Sequence, residues 1–295
     1  MKTQSIAGGL RTKGRFKATS PAKPLITVIT VVLNGERHLE QAIQSVIKQD
    51  YPYIEYIVID GGSTDETLDI IRKYEDRIDY WVSESDSGIY DAMNKGIAVA
   101  RGELIGLLNS DDYYEPRALQ AVAAASVAVP AAGIFYGNSY ILQEDMGLRY
   151  KSYGHTRFWR GMGFPHQAMF VRRAVHGAIG TYDTAYHIVA DYDFVLRALE
   201  GCIPLSYVDA LLVSYRNTGL SGSNLYATLN EIRKISRKHF GLLSLAHGGF
   251  LLLFAKSCLL LVLERAIGLT FGSHVLSRAR MMYMKKIIIK GHTRR

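Results

Sequence analysis

Between residues 24 and 135 the hydrophobic pattern keeps switching period, and this limits what such a chain can fold into. Residues 25–33 form an unbroken, largely β-branched run, whereas residues 37–48 place Leu39, Ile43, Val46 and Ile47 at helical spacing. The same change recurs three times. Residues 53–59, 79–83 and 103–108 read as strands, and residues 64–74, 89–100 and 116–127 as the helices that follow them. Acidic residues crowd the first turn of the 64–74 helix, with Ser63 or Thr64 near its cap. Strands separated by helices of this length predict βαβ units, and so an α/β fold with a mostly parallel central sheet flanked by helices. In such sheets ligands bind beyond the carboxyl ends of the strands. Asn34, Asp60 and the pair Asp111-Asp112 all fall at those ends.

The groups gathered there narrow the ligand. No Gly-x-Gly-x-x-Gly follows the first strand, and no Gly-x-x-x-x-Gly-Lys-Ser/Thr occurs, so neither a dinucleotide fingerprint nor a phosphate-cradling loop is present. The strand ends carry carboxylates instead. The apolar stretch 103–108 stops at Asn109-Ser110-Asp111-Asp112, where two adjacent like charges are costly to desolvate together. A solvated turn before Pro116 meets that cost with water, and a divalent cation meets it by neutralisation. Mg²⁺ takes one or two protein carboxylates plus substrate phosphates, which an Asp-Asp pair matches.

Charge is unevenly placed. Residues 1–24 hold six basic residues and no acid, and residues 265–295 hold eight more, again with no acid. Against a total of +8, those fourteen cations leave −6 on residues 25–264. An acidic middle excludes a nucleic-acid-binding domain, which carries its basic face on the folded core. Basic ends suit an anionic membrane surface, with residues 1–24 expected as a solvated, disordered arm that has no apolar core of a secretory signal. Cys202 and Cys258 provide neither a disulfide framework nor metal-ligand spacing, which fits a reducing compartment.

Four stretches, "ITVVLNGERHLEQAIQSVIKQ", "YIVIDGGSTDETLDII", "SESDSGIYDAMNKGIAVARGELIGLLNSDD" and "ADYDFVLRALE", occur in that order. Together they make residues 25–216 resemble the family 2 glycosyltransferases, which have the GT-A fold, a Rossmann-like arrangement. The pairing of "GIYDAMNKGIA" with "HQAMFVRR" is more similar to bacterial enzymes of surface polysaccharide and glycolipid assembly than to processive synthases, whose Gln-x-x-Arg-Trp signature is missing. The resemblance implies a metal-dependent, inverting transfer of sugar from a nucleotide-sugar donor to a glycan or lipid-linked glycan acceptor. It implies Asn34, Asp60, Asp86, Asn94, Lys95 and Asp111 as the nucleotide-sugar site, with Asp60 on the base and Asn94 and Lys95 toward the phosphates. Asp111 and Asp112 would hold Mg²⁺ or Mn²⁺, although Asn109 replaces the leading acid of the family's motif. Asp191 takes the place of the family's general base, beside Ala190 where a glutamate is usual. Asp193 reads as a structural partner of Arg197 at i+4. His166 and Gln167 stand as acceptor or metal contacts, against a plain structural role for a histidine beside Pro165.

The expected organisation is a basic tail (1–24), a GT-A domain (25–222) and a C-terminal membrane-associating region (223–295). The GT-A domain would divide into a nucleotide-sugar half (25–116) and an acceptor half (117–222). Residues 242–263 carry only His247 and Lys256 as titratable groups, long enough to span a bilayer. Lys256 and Gly248-Gly249 within them suit an interfacial helix or re-entrant hairpin better. The expected location is the bacterial cytoplasm, at the inner face of the cytoplasmic membrane. A non-catalytic GT-A-like subunit that organises a membrane assembly complex is the alternative.

Overall fold

The computed structural model describes residues 5–17, 20, 23–144, 147–154, 162–216 and 224–241. The expected apolar segment 242–263 and the basic run to residue 295 lie outside the described residues.

The alternation produces the predicted elements in order: β2 (Ile26–Val32), α1 (Leu39–Ile47), β3 (Ile54–Asp60), α2 (Thr67–Lys73), β4 (Tyr80–Ser83), α3 (Ile89–Val99), β5 (Leu104–Asn109) and α4 (Ala118–Ala128). Strands β2, β3, β4 and β5 pair in parallel, with β2 flanked by β3 on one side and β5 on the other. Every residue of β2 is buried, because α1 and α4 pack on one face of the sheet and α3 on the other. The strand order reverses at β2, so the loops after β2 and β5 splay apart there and open a crevice.

The second half departs from the expected mostly parallel sheet, and the ten-stranded sheet is mixed. After β6 (Tyr113–Tyr114) come β7 (Ile134–Gln143), β8 (Leu148–Ser152), β9 (Met169–Arg172), α5 (Arg173–Ile179), α6 (Ala190–Glu200), β10 (Leu205–Arg216) and α7 (Leu225–Phe240). Strand β9 inserts antiparallel between β5 and β7, β8 runs antiparallel to β7, and β6 antiparallel to β10. A parallel neighbour needs a crossover helix, and among the described residues no α-helix lies between β7 and β8 or between β8 and β9.

The N-terminal segment is a further departure. Residues 5–17 are not a free arm: β1 (Ile6–Gly8) pairs antiparallel with β4 and continues into a 3₁₀ turn at Leu10–Lys13. Arg11 reaches Val99 O at 2.9 Å and Glu55 Oε1 at 3.3 Å, and Arg101 stacks its guanidinium 4.2 Å from the Phe16 ring. Of the basic residues counted there, Arg11 is thus neutralised locally, as is Lys13, whose Nζ lies 3.5 Å from Glu75 Oε1.

Candidate active site

A cleft of about 920 Å³ opens at the strand-order reversal. Its near wall is the β2–α1 loop, its floor the β5 end, its far wall the 162–167 loop and the entry to α6. Asn34, Asp86, Asp111, Asp112, His166, Gln167 and Asp191 all line it, although they come from five separate segments.

At the β2 end Asn34 adopts a left-handed backbone (φ 50°), within the range asparagine tolerates. Its Oδ1 accepts Thr64 N at 2.9 Å, and its own N–H donates to Ser63 Oγ at 2.7 Å, which ties the β2 loop to the β3 loop. Asp86 Oδ1 accepts Gly88 N at 2.9 Å, and Asp86 Oδ2 lies so close over Gly61 that a Cβ there would sit 2.4 Å away. Glycine at 61 is what admits that carboxylate to the cleft wall.

At the β5 end the two acids differ sharply. Asp112 is 2% exposed, with Oδ2 accepting Gln167 Nε2 at 2.6 Å and Oδ1 accepting Arg216 N at 2.8 Å. Burial, with Asp111 alongside, holds the Asp112 carboxyl well above the usual carboxylate range despite those two donors. Asp111 is half-buried at the cleft surface. Among the described residues no set of three His, Cys, Asp or Glu side chains can hold a metal ion by itself. Two adjacent oxygen donors, one desolvated, fit a hard divalent cation whose other positions are filled by phosphate oxygens and water.

On the far wall Asp191 sits in the first turn of α6. Its Oδ1 accepts Tyr192 N at 2.9 Å and lies 3.4 Å from the Tyr90 hydroxyl, and its Oδ2 lies 3.4 Å from His166 Nδ1. His166 Nε2 in turn is 3.3 Å from Asn109 Oδ1. One imidazole therefore bridges the β5 end and α6. Tyr90 also donates to Ile188 O at 2.8 Å, and burial, then the Asp191 charge, raises its hydroxyl pKa.

The model for the family described as "Glycosyl transferase family 2" matches residues 27–183, which include the near wall, the floor and the 162–167 loop of this cleft. The chain belongs to that family. A "PGL/p-HBAD biosynthesis glycosyltransferase" of Mycobacterium bovis is 31% identical over 204 residues, covering 67% of this chain and 79% of the relative. The fold matches Staphylococcus aureus TarS 1-349, crystallised with UDP-GlcNAc, at a TM-score of 0.60 and 20% identity. That match covers 72% of this chain, which spans 64% of the TarS chain. A mannosyltransferase of Pyrobaculum calidifontis, in complex with GDP-Man and Mn²⁺, matches at a TM-score of 0.57 and 15% identity, covering 91% of this chain and 88% of its own.

Three of the residues expected in this glycosyltransferase's donor site do not line the cleft. Asp60 is fully buried: its Oδ2 accepts Ser83 Oγ at 2.5 Å and Ser63 N at 3.1 Å, and its Oδ1 accepts Ser63 Oγ. It builds the turn that Asn34 grips and is closed off from a base. Asn94 makes a two-way bond with the backbone of Tyr182, at 2.8 and 3.0 Å. Lys95 binds Glu84 Oε1 and Ser85 O, both at 2.9 Å. Only the first turn of α3, from Gly88 to Ala92, reaches the cleft. Sequence reasoning passed over Arg216, whose backbone N–H holds Asp112 and whose guanidinium donates to Asp111 O, Glu144 Oε1 and Gln41 Oε1. It also passed over Tyr90, although that residue lies inside a quoted motif.

Proposed function

We propose that this family 2 glycosyltransferase moves a sugar from a nucleotide-sugar donor to a hydroxyl of a glycan or lipid-linked glycan acceptor, inverting the anomeric configuration. The observation that carries the reading is the line Asp111-Asp112, Asn109, His166, Asp191, which joins an acid pair with one desolvated member to a held carboxylate across one cleft.

Asn34 and Asp86 face the nucleoside end, where Leu33, 59% exposed, offers an apolar wall for a base or ribose. The first turn of α3 directs the positive end of its dipole at the diphosphate. Asp111 and Asp112 would hold Mg²⁺ or Mn²⁺, which when bound screens the diphosphate charge and favours its departure. On the acceptor side Asp191 accepts the proton of the attacking hydroxyl. The new glycosidic C–O bond forms as the anomeric C–O bond to the diphosphate breaks, on the opposite face. Tyr90 and His166 hold the carboxylate for this step, and Gln167 keeps Asp112 aimed at the floor. The names of the neighbours, one bound to UDP-GlcNAc and one to GDP-Man and Mn²⁺, support a nucleotide-sugar donor and a divalent metal. The name of the Mycobacterium bovis relative, a biosynthetic glycosyltransferase, supports a transfer that builds a glycosylated product.

A place on the inner face of the bacterial cytoplasmic membrane is part of this reading, and the surface of α7 supports it. Tyr226, Arg233, Arg237 and Phe240 recur along one exposed stripe of that helix, which mixes aromatic and basic groups as interfacial helices do. No helix among the described residues is long and apolar enough to cross a membrane.

The test is a panel of UDP-, GDP- and dTDP-sugars with Mn²⁺. One donor should raise the melting temperature, through about 2.7 kcal/mol at a hundredfold excess over Kd, and chelation should abolish the rise. Transfer by the same donor should give a product of opposite anomeric configuration. Binding without turnover, or retained configuration, overturns the proposal, the former in favour of a non-catalytic subunit.

A further inference from the structure

Glu231 of α7 lies outside the matched family region, yet its carboxylate grips the catalytic wall. Its Oε1 accepts His187 N at 2.9 Å, and its Oε2 accepts Ile188 N at 2.9 Å and Val189 N at 3.2 Å. Three consecutive amides converging on one anion form a nest, and this nest is the entry to α6. Val189 is the residue before the helix, no side chain within α6 caps it, and Asp191 follows two positions later. His187, Ile188, Val189 and Asp191 all line the cleft. The carbonyl of Ile188 holds the Tyr90 hydroxyl, which faces Asp191 Oδ1. A carboxylate at the helix N-terminus also compensates the macrodipole, so the charge is placed where it binds best.

We propose that Glu231 is a positioning residue for the transfer. By clamping the 187–189 amides from α7, it sets the direction of the Asp191 carboxylate toward the acceptor. The inference rests on Asp191 acting as the base. It adds that base placement depends on a helix outside the nucleotide-sugar domain. Nothing else among the described hydrogen bonds holds the His187 and Ile188 amides. Without Glu231 the segment is free to rotate, and Asp191 turns with it, while the donor side, built from β2, β5 and the first turn of α3, is untouched.

Two variants test this on the full chain: Glu231→Ala, and Glu231→Gln, which keeps a carbonyl acceptor of the same reach. Amide hydrogen exchange needs no substrate. Glu231→Ala should raise exchange at residues 187–189 and at Tyr192, whose N–H is bound to Asp191 Oδ1, by tenfold or more, and leave β2 and β5 unchanged. In turnover of UDP-GlcNAc or GDP-mannose with Mn²⁺, Glu231→Ala should lower kcat by about 10- to 100-fold with donor KM unchanged, and Glu231→Gln should recover part of it. Combined with Asp191→Asn, Glu231→Ala should cost no further rate, because both act through one carboxylate. Unchanged exchange at Tyr192, a loss carried by donor KM, or additive losses in the double variant would each overturn the proposal. An Asp191→Asn enzyme of undiminished rate, with Glu231→Ala still impaired, would overturn the base assignment instead and so separate the two failures.

Discussion

Adjacent aspartates do different work at the end of β5. Asp112 is enclosed, with both oxygens bonded to protein donors, whereas Asp111 meets the cleft. Replacing Asp112 by alanine strands two buried donors at about 1–3 kcal/mol each, which confounds a binding test. Asp111→Ala is the cleaner variant. It should abolish metal-dependent donor binding, read by calorimetry with and without Mn²⁺, while the melting temperature of the free protein moves little. Intact metal-dependent binding would return the pair to being a turn. Asp191→Asn should lower kcat by roughly 10²–10⁴-fold, the usual contribution of a general base, with donor affinity nearly unchanged. At this scale the sequence correctly brought Asn34, Asp86 and Asp111 to one cleft, because each lies in a loop just beyond a strand. It was illegible where the orientation of a helix face decides. Asn94 and Lys95 belong to a motif whose first turn alone reaches the cleft, and Asp60 is taken up by its own turn.

Helix α7 docks on α6 through charge as well as packing. Asp193, fully buried, accepts Arg197 Nε at 2.8 Å, and Lys238 Nζ and His239 Nε2 at 2.9 Å each. The i+4 partner was readable from spacing, but the two partners from α7 were not, because only tertiary structure brings them within reach. Breaking a buried pair from one side leaves uncompensated charge, so Asp193→Asn should destabilise the chain by about 3 kcal/mol in urea unfolding. Loss below 1 kcal/mol would mean that the cluster is solvated and of little weight. Strand β9 was equally hidden. Four residues between a turn and a helix carry no period, and its place between β5 and β7 is set by partners more than 20 residues away in sequence.

Among the described residues, His176 is a neutral imidazole deep in the core on the α3 and α6 side of the sheet. His176 is buried against Phe194, ring centroids 5.0 Å apart, with Arg197 nearby; burial, then that charge, lowers its pKa to about 4. The unfolded chain takes up this proton near pH 6.5 and the folded one only near its depressed value, so stability falls as pH drops between the two. The loss from this residue should reach ~2 kcal/mol by pH 5, and His176→Phe should remove that part of the acid slope in denaturant titrations. An identical slope in the variant would assign the acid sensitivity to other groups. Deleting residues 242–295, with Arg233→Glu and Arg237→Glu, should abolish sedimentation with phosphatidylglycerol vesicles at low salt; persistent binding would refute the membrane assignment. The short strand β1 has a different consequence. It covers the outer edge of β4, and Gly8 lies against the Trp81 indole, where a Cβ would sit 2.6 Å from Nε1. Trimming residues 5–17 would bare the amides of an apolar strand and invite edge-to-edge association into aggregates. A purification tag joined close to Ile6 risks prising the same strand loose, so a poorly soluble preparation would reflect where the tag was placed and not a weak core.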